Sequence, residues 1–574
     1  MRIARRVILF ALLLVILTGL WMWWNRPVKV DMAAYVPADS IVYLEADSLP
    51  GLLNGITSTD AWRELAPAAG IDRHVGEAGW LSRFMSFTGL GSGESVIFSR
   101  AQVAVTIQGF EAAEESDTAL KFSPRAALVA ETHTGEGRTR AAVEKLVGDF
   151  ARRSFGSPSV ERKEVDGVRF VTWVAPTGSR RKVVTAVTES VAVIGNDEAT
   201  VRACLEVRRG ARPSLAGNEQ LKELRSRLGG EGALAFGFAQ SGSAARMVEV
   251  FAPLFVAGVS DKSEVQGFLA TFLPKLADQL IGSAGWSARV VKGSVEDHYF
   301  LALPEGMPAR LTEPFEAAGG QGSAAPTAFP RDVYQVSHYH FRDPEAAWRG
   351  LNAVISSQVD AYRASIISLT LEALVKSYGV EKPREFLRAV GPDVMTAWLD
   401  VSSENKVLVV AVRDREALRR QVGERLGSGA RAERVGGEEL LISSDPERGA
   451  ASFFGDYLLV GDAADLRRCL SSRLDGREAR REETPLEMAE SFFKEPSFVT
   501  TRTRDAGPAR TVISFFGGAR SSGGASGRES FEKALARHSL SVSETRLAAD
   551  GFEKKTRSAF GQFGAIGALL TPER

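Results

Sequence analysis

The chain has few of the residues that most directly mark chemistry. It contains 2 cysteines and 6 histidines among 574 residues. So little cysteine excludes a disulfide-built scaffold and a cysteine-rich zinc module. Lys plus Arg and Asp plus Glu each number 71, so the formal net charge is zero. A dedicated nucleic-acid binder normally needs a basic excess to face phosphate, and we therefore expect no nucleic-acid partner.

Long apolar runs are also scarce, with one exception near the N-terminus. An uncharged run begins at Val7 and ends at Trp24. At about 1.5 Å per residue, residues 7–24 span roughly 27 Å, close to the hydrocarbon thickness of a bilayer. The arginines in residues 1–6 predict a cytoplasmic N-terminus, and W-M-W-W-N-R-P lacks the small residues of a signal-peptide cleavage site. We expect a transmembrane signal anchor in a single-pass protein of the inner membrane, with the bulk of the chain periplasmic.

The remainder has the composition and patterning of a globular protein, with 44% hydrophobic and 25% charged residues. V-R-F-V-T-W-V at 168–174 alternates with the period of two that is typical of half-buried strands. Strands and helices are mixed without a regular βαβ order, which predicts an α+β fold with mainly antiparallel sheets. The most apolar later stretch, residues 247–281, contains prolines and charges and is predicted to form two soluble helices with a turn between them.

Short blocks recur in the same order in the two halves of the chain. V-P-A-D-S-I-V-Y-L-E at Val36 has a counterpart in F-P-R-D-V-Y-Q-V-S-H at Phe329. Residues 191–205 resemble 457–470, each an apolar strand ending in glycine and then a helix, so that Cys204 aligns with Cys469. Colinear repeats indicate duplication. We expect two tandem α+β units at 36–304 and 329–574, joined by a Pro-, Gly- and Ala-rich linker at 305–328.

No motif in the sequence identifies an enzyme. The glycine pattern G-L-G-S-G-E-S at 89–95 lacks the lysine of a phosphate-binding loop, and Glu94 would repel phosphate, so a turn is expected there. Ser-x-x-Lys occurs at 403–406, 491–494 and 530–533 without the partner motifs of penicillin-interacting enzymes. Both cysteines are expected to be small buried hydrophobes. We therefore predict no catalytic, cofactor-binding or metal-binding residues and no cofactor.

His338 and His340 are the histidines closest to a recognisable site. They lie two apart on a predicted strand, so both should face one side, and two imidazoles could begin a metal site. None of the other histidines supplies an obvious third ligand. Ordinary strand residues are the expectation, and whether the pair binds anything is left open.

The ensemble resembles an uncharacterised bacterial family of membrane-anchored envelope proteins, known only as a domain of unknown function. The resemblance lies in the signal anchor, in Pro37-Ala38-Asp39, and in the apolar strands that end at Gly195 and Gly461. It implies an envelope location and carries over no active site. We expect a non-enzymatic structural or binding component that engages an envelope protein or lipid. The alternatives are a carrier of lipid or another hydrophobic ligand, using apolar helices within 251–281, and an envelope hydrolase whose residues are scattered along the chain.

Overall fold

The computed structural model describes residues 29–71, 97, 100–116, 119–176, 181–249, 273–317, 329–330, 332–357, 380, 382–401, 406–471, 492–517 and 525–570. These ranges form helices and antiparallel sheets, which confirms the α+β class. Among their helices, none combines the length and apolar character that crossing a bilayer requires. The predicted anchor at 7–24 lies outside the described residues.

The chain packs as two compact units. Among the described residues, the first consists of 29–52, 97, 100–111, 124–176 and 181–218, and the second of 53–71, 112–116, 119–123 and the described residues from 219 onward. The predicted repeat bounds at 36–304 and 329–574 rest on sequence similarity rather than on packing, so they remain a prediction.

The first unit contains one run of paired strands. Their order in the sheet is β1-β2-β3-β7-β6-β5-β4. Their bounds are β1 (Val42–Ala46), β2 (Gln102–Ser116), β3 (Ala119–Glu131), β4 (Ser159–Val165), β5 (Val168–Val174), β6 (Lys182–Thr188) and β7 (Val191–Gly195). The outer ends of β2 and β3 belong to the second unit.

The second unit contains a longer run. The order is β8-β9-β10-β20-β19-β18-β11-β12-β13-β17-β16-β15-β14. The bounds are β8 (Ala235–Ala239), β9 (Ala284–Val291), β10 (Ser294–Ala302), β11 (Gln335–His340), β12 (Val390–Trp398), β13 (Val407–Val412), β14 (Arg431–Val435), β15 (Glu438–Ile442), β16 (Ala450–Phe454), β17 (Tyr457–Gly461), β18 (Val499–Arg504), β19 (Leu540–Ala548) and β20 (Gly551–Ser558).

The α-helices are numbered along the chain. They are α1 (Leu49–Thr57), α2 (Asp60–Ala68), α3 (Glu136–Phe155), α4 (Glu198–Arg208), α5 (Glu219–Arg227), α6 (Met307–Thr312), α7 (Pro344–Ser357), α8 (Pro383–Ala389), α9 (Arg415–Leu426), α10 (Ala463–Ser471), α11 (Gly507–Gly517), α12 (Ala525–Arg537) and α13 (Phe563–Leu570).

In the first unit, α3 packs on one face of the sheet. Val143 and Val147 of this helix lie in a buried cluster with Trp173 of β5 and Ala192 of β7. Burying an aliphatic side chain of this size contributes about 1.5–3 kcal/mol, so the contact holds the helix on the strands. On α4, Asp197 accepts a hydrogen bond from the Thr200 N–H and fixes where that helix begins.

In the second unit, helices pack on both faces of β13 and β17. One face carries Leu418, Val422 and Leu426 of α9. The other carries Leu466, Cys469 and Leu470 of α10. Successive residues of β13 belong in turn to the buried cluster under α10 and to the one under α9, because side chains alternate between the two faces of a strand.

Several sequence predictions can be compared directly with these elements. The alternating stretch at 168–174 is β5, and hairpins form as β9–β10 and β19–β20, where A-R-V-V-K-G-S-V-E at Ala288 and E-T-R-L-A-A-D-G-F-E at Glu544 each predict a strand, a glycine turn and a strand. Lys292 and Gly293 turn the first hairpin with φ of 49° and 76°, a conformation that favours glycine. Helical segments occur at 243–249 and 273–280, within the predicted helix pair, while 250–272 lie outside the described residues. The predicted linker contains the short helix α6, which Gly306 enters at a φ of 76° and which buries Met307 and Leu311.

Candidate functional site

Two histidines on β11 share one face of the second unit's sheet. Successive side chains alternate across a strand, so His338 and His340 point to the same side. Their imidazole centroids lie 3.6 Å apart, with the ring planes inclined at 47°. The prediction that both rings face one side of a strand is therefore confirmed.

Asp393 joins the two histidines from the neighbouring strand. In the register of β11 and β12, it lies directly opposite His340. Nε2 of His338 is 3.2 Å, and Nδ1 of His340 is 3.9 Å, from Oδ1 of Asp393. Each of the three residues offers a ligand atom within 4.8 Å of the other two. Across the described ranges, this is the one group of three such side chains close enough to hold a metal ion.

The surroundings of this cluster favour neutral imidazoles. Burial, together with the neighbouring His340 ring, lowers the pKa of His338 to about 4 against the opposing carboxylate of Asp393. Burial also lowers the pKa of His340, against the opposing carboxylates of Asp393 and Glu544. At neutral pH both rings are therefore uncharged, so the contact of His338 with Asp393 is a hydrogen bond rather than an ion pair. A neutral imidazole keeps one nitrogen lone pair that can accept a proton or bind a metal.

The same sheet face continues as a row of polar residues beyond the cluster. Cross-strand neighbours link His338 to Thr500, Thr500 to Glu544, Glu544 to Lys555, and Lys555 to His298. These residues come from β11, β18, β19, β20 and β10 in turn. A polar row this long on a sheet face requires partners, because buried charges without them are costly.

Ion pairs supply those partners. Glu553 accepts a hydrogen bond from Arg546 at 2.6 Å and lies 2.5 Å from Nε2 of His298. Burial alone would raise the pKa of Glu553, but the hydrogen bonds from His298 and Arg546 outweigh it and hold this pKa at about 2. On the adjacent positions, Arg557 pairs with Glu296 at 2.7 Å.

Residues 492–498 lie across this face. The Phe492 N–H and the Ser497 hydroxyl both donate to Oε2 of Glu544, at 3.1 and 3.2 Å. The Phe492 ring centroid is 4.4 Å from the Arg557 guanidinium, and the Phe493 centroid is 4.5 Å from that of Arg546. These cation–π contacts bury both rings and cover the charged residues of β19 and β20.

A further buried carboxylate lies on the opposite face of β10. Asp297 is only 1% exposed and accepts a hydrogen bond from the Trp286 indole N–H at 2.8 Å. Burial raises its pKa to about 6, although the hydrogen bonds from Trp286 and from the Gln562 backbone act in the other direction. A carboxyl group that titrates near neutral pH in this way is a common feature of functional sites and also of structural networks.

Both cysteines are buried thiols that form no disulfide, as predicted. Burial raises the pKa of Cys204 to about 12 and that of Cys469 to about 12. Since the thiolate is the reactive form, neither residue is suited to nucleophilic or redox chemistry at neutral pH.

The remaining sequence candidates are not brought into a site. Ser530 and Lys533 are exposed on α12. The glycine pattern at 89–95, Ser403 and Ser491 lie outside the described residues, as do residues 250–272, which make up most of the stretch proposed for a lipid carrier.

Comparison with known proteins identifies no relative. No protein-family model matches the chain, and no significant match is found among curated proteins or solved structures. The functional argument therefore depends on the chain's own residues.

Asp393 is the residue that sequence reasoning missed. It follows His340 by 53 positions and stands in V-G-P-D-V, where the sequence suggests only a turn. Its position next to the histidines depends on the register of β11 with β12, which local sequence does not specify. A useful signal would have been an acidic residue at the start of the strand that follows the histidine strand.

Proposed function

We propose that this chain is a membrane-anchored extracytoplasmic protein that serves as a structural or binding component of the bacterial cell envelope. One observation carries the location: the uncharged run at 7–24, preceded by arginines and long enough for one bilayer crossing. The neutral overall charge fits a partner in the envelope better than nucleic acid.

We infer further that the extracytoplasmic part arose by tandem duplication of one α+β unit. The order β1-β2-β3-β7-β6-β5-β4 has the same connectivity as β11-β12-β13-β17-β16-β15-β14, which supports this inference. In both series a helix follows the third strand and another follows the seventh. Cys204 and Cys469 are each the seventh residue of that last helix, α4 or α10, and both are buried.

A structural or binding role agrees with how the second unit uses its charges. Glu553, Arg546 and His298 are engaged with one another, and residues 492–498 cover the face on which they lie. Charges paired with one another and covered in this way are already engaged, whereas a catalytic group must reach its substrate.

A topology experiment tests the location. A reporter enzyme that is active only outside the cytoplasm is fused after Arg574, and membranes are separated from soluble fractions. We expect an active reporter in the membrane fraction. Replacing Leu13 and Leu14 by arginine should abolish both properties, because charges at the centre of a span are costly, while alanines at the same positions should preserve them.

Two results would contradict the anchor. A shortened soluble protein that starts near Asn25 would show a cleaved signal peptide, and an inactive full-length reporter would show a cytoplasmic chain.

Site-specific photocrosslinking in intact cells tests the binding role. A photoreactive residue at Val401 or Val160, which are 74% and 41% exposed, should yield a discrete adduct of higher mass with an envelope protein or lipid. The same residue at buried Val409 is the matched control and should yield none. Absence of adducts from a scan of exposed positions in both units would contradict the binding role.

A further inference from the structure

We propose that His338, His340 and Asp393 form a binding site for a late first-row divalent metal ion, with zinc as the best match. The three side chains converge from two hydrogen-bonded strands, and each offers a ligand atom within 4.8 Å of the others. This proposal concerns a site within the second unit and does not rest on the envelope location.

The geometry requires only small movements. Zinc binds imidazole nitrogen and carboxylate oxygen at about 2.0–2.2 Å, so ligand atoms in a tetrahedral site lie about 3.3 Å apart. Oδ1 of Asp393 is already 3.2 Å from Nε2 of His338 and 3.9 Å from Nδ1 of His340. The widest separation must close by about 1.5 Å, which rotation of the imidazole and carboxylate side chains can provide.

The strand that carries both histidines is paired along both of its edges. β11 pairs with β12 along one edge and with β18 along the other, and the register places Asp393 opposite His340. A His-x-His spacing on a strand supplies two imidazoles from one face without any loop. Ligands held on rigid strands lose little freedom on binding, which favours a preorganised site.

The donor set selects the class of ion. Two imidazole nitrogens and one carboxylate oxygen suit zinc, cobalt, nickel and copper, whereas calcium and magnesium prefer oxygen ligands throughout. One carboxylate partly neutralises the divalent charge. The His338, His340 and Asp393 side chains are 12%, 21% and 17% exposed, which leaves access for water as a further ligand. Three protein ligands with one exchangeable position are the arrangement of open zinc sites.

The test uses the purified full-length chain in detergent, carrying an affinity tag without histidine. After metal removal with a chelator, Co²⁺ is titrated and its visible absorption bands are recorded, and Zn²⁺ affinity is measured by competition with a chromophoric chelator. We expect one equivalent of either metal per chain. Zn²⁺ should also raise the unfolding temperature of the wild-type protein.

Variants assign the binding to these residues. The double substitution His338→Gln/His340→Gln should weaken Zn²⁺ binding at least about 100-fold, since changes to mere outer-shell partners typically cost 10–100-fold. Asp393→Asn, which preserves the side-chain shape, should weaken it by at least about 10-fold. His133→Asn is the matched control. It removes an imidazole that lies 3.9 Å from a single carboxylate, Glu131, at a φ of 52° that asparagine tolerates, and it should leave binding unchanged.

Three outcomes would overturn the proposal. They are a wild-type chain that binds no Zn²⁺ under these conditions, affinity that persists in the double variant, and affinity lost equally in the His133→Asn control. Circular dichroism checks that each variant is folded. If the double variant fails to fold, the isosteric Asp393→Asn protein decides between the outcomes.

Discussion

The strand pairs β1–β2 and β11–β12 occupy matching places in the two strand series and carry different chemistry. Tyr43 and Glu45 lie at the same distances in sequence before helix α1 as His338 and His340 lie before helix α7. The Tyr43 hydroxyl donates to Oε2 of Glu45 at 2.7 Å, and Ala104 lies opposite Glu45. In the second pair, an aspartate takes the alanine's place. Equivalent strand pairs thus carry a hydrogen bond between two side chains of one strand in the first unit, and three side chains that lie close together in the second.

The largest effect is expected from placing an aspartate in the first pair. Ala104 is 1% exposed and lies opposite the half-buried Glu45, so Ala104→Asp would place a second carboxylate at a buried position beside the first. We expect a loss of about 4 kcal/mol of unfolding free energy, the scale for an uncompensated buried charge. Urea denaturation measures it, with Ala104→Ser as the control for size. A loss under about 1 kcal/mol would show that the pair β1–β2 tolerates an aspartate at the position where β11–β12 has one.

Next in size is the pH dependence set by Asp297. Its pKa is about 6 in the folded protein against 3.8 in a free side chain, so the folded state binds the proton more tightly. Stability should therefore be greatest near pH 4 and fall as pH rises through 6, by about 3 kcal/mol at 1.4 kcal/mol per pKa unit. In Asp297→Asn this decline should be absent.

Glu553 provides an internal comparison with the opposite sign. Its pKa is lowered from 4.5 to about 2, so the stability it contributes is present above pH 4.5 and is lost as pH falls toward 2. This acid limb should remain in Asp297→Asn. Parallel stability profiles of the wild type and Asp297→Asn between pH 4 and 7 would contradict the assignment to Asp297.

Substituting either cysteine should have a smaller effect on stability, of similar size at the two positions. Cys204→Ser and Cys469→Ser each place a hydroxyl in a buried position and should each cost about 1–2 kcal/mol. Neither thiol should react with a thiol-specific chromogenic reagent in the native protein, and both should react in guanidinium. Rapid native reaction of one thiol alone would show that the two helix positions are not equivalent.

The smallest effect on stability is expected from the reverse exchange. Asp393→Ala restores the residue found in the first pair, at a position that is 17% exposed, and should cost about 1 kcal/mol because it removes the hydrogen bond to the His338 ring. Zn²⁺ should then no longer raise the unfolding temperature. Retention of the full Zn²⁺ effect would show that the aspartate is not a ligand.

Much of the fold could be predicted because the signals are local. Period-two alternation at 168–174 and the strand–glycine–helix blocks before Cys204 and Cys469 depend on neighbouring residues, and each forms the predicted element. The hairpin β9–β10 was predictable from its Lys-Gly turn for the same reason.

The candidate site was only half predictable. That His338 and His340 point to the same side follows from the alternation of side chains along one strand. Asp393 lies next to them only because β12 pairs with β11 in this register. The contact of His298 with Glu553 joins residues 255 positions apart in the sequence. Register between distant strands depends on the packing of the whole sheet, and no local pattern encodes it.

The pairing of β10 with β20 has a consequence for how the chain is made. All eight residues from Val295 to Ala302 pair with residues 551–558. During synthesis, β10 therefore emerges long before its partner and presents an open edge that other chains could join. The second unit can close only after residues 551–558 have arrived, so its folding is dominated by late, long-range contacts and should be slow. We expect protection of that edge during synthesis to matter more for the yield of native protein than the final stability does.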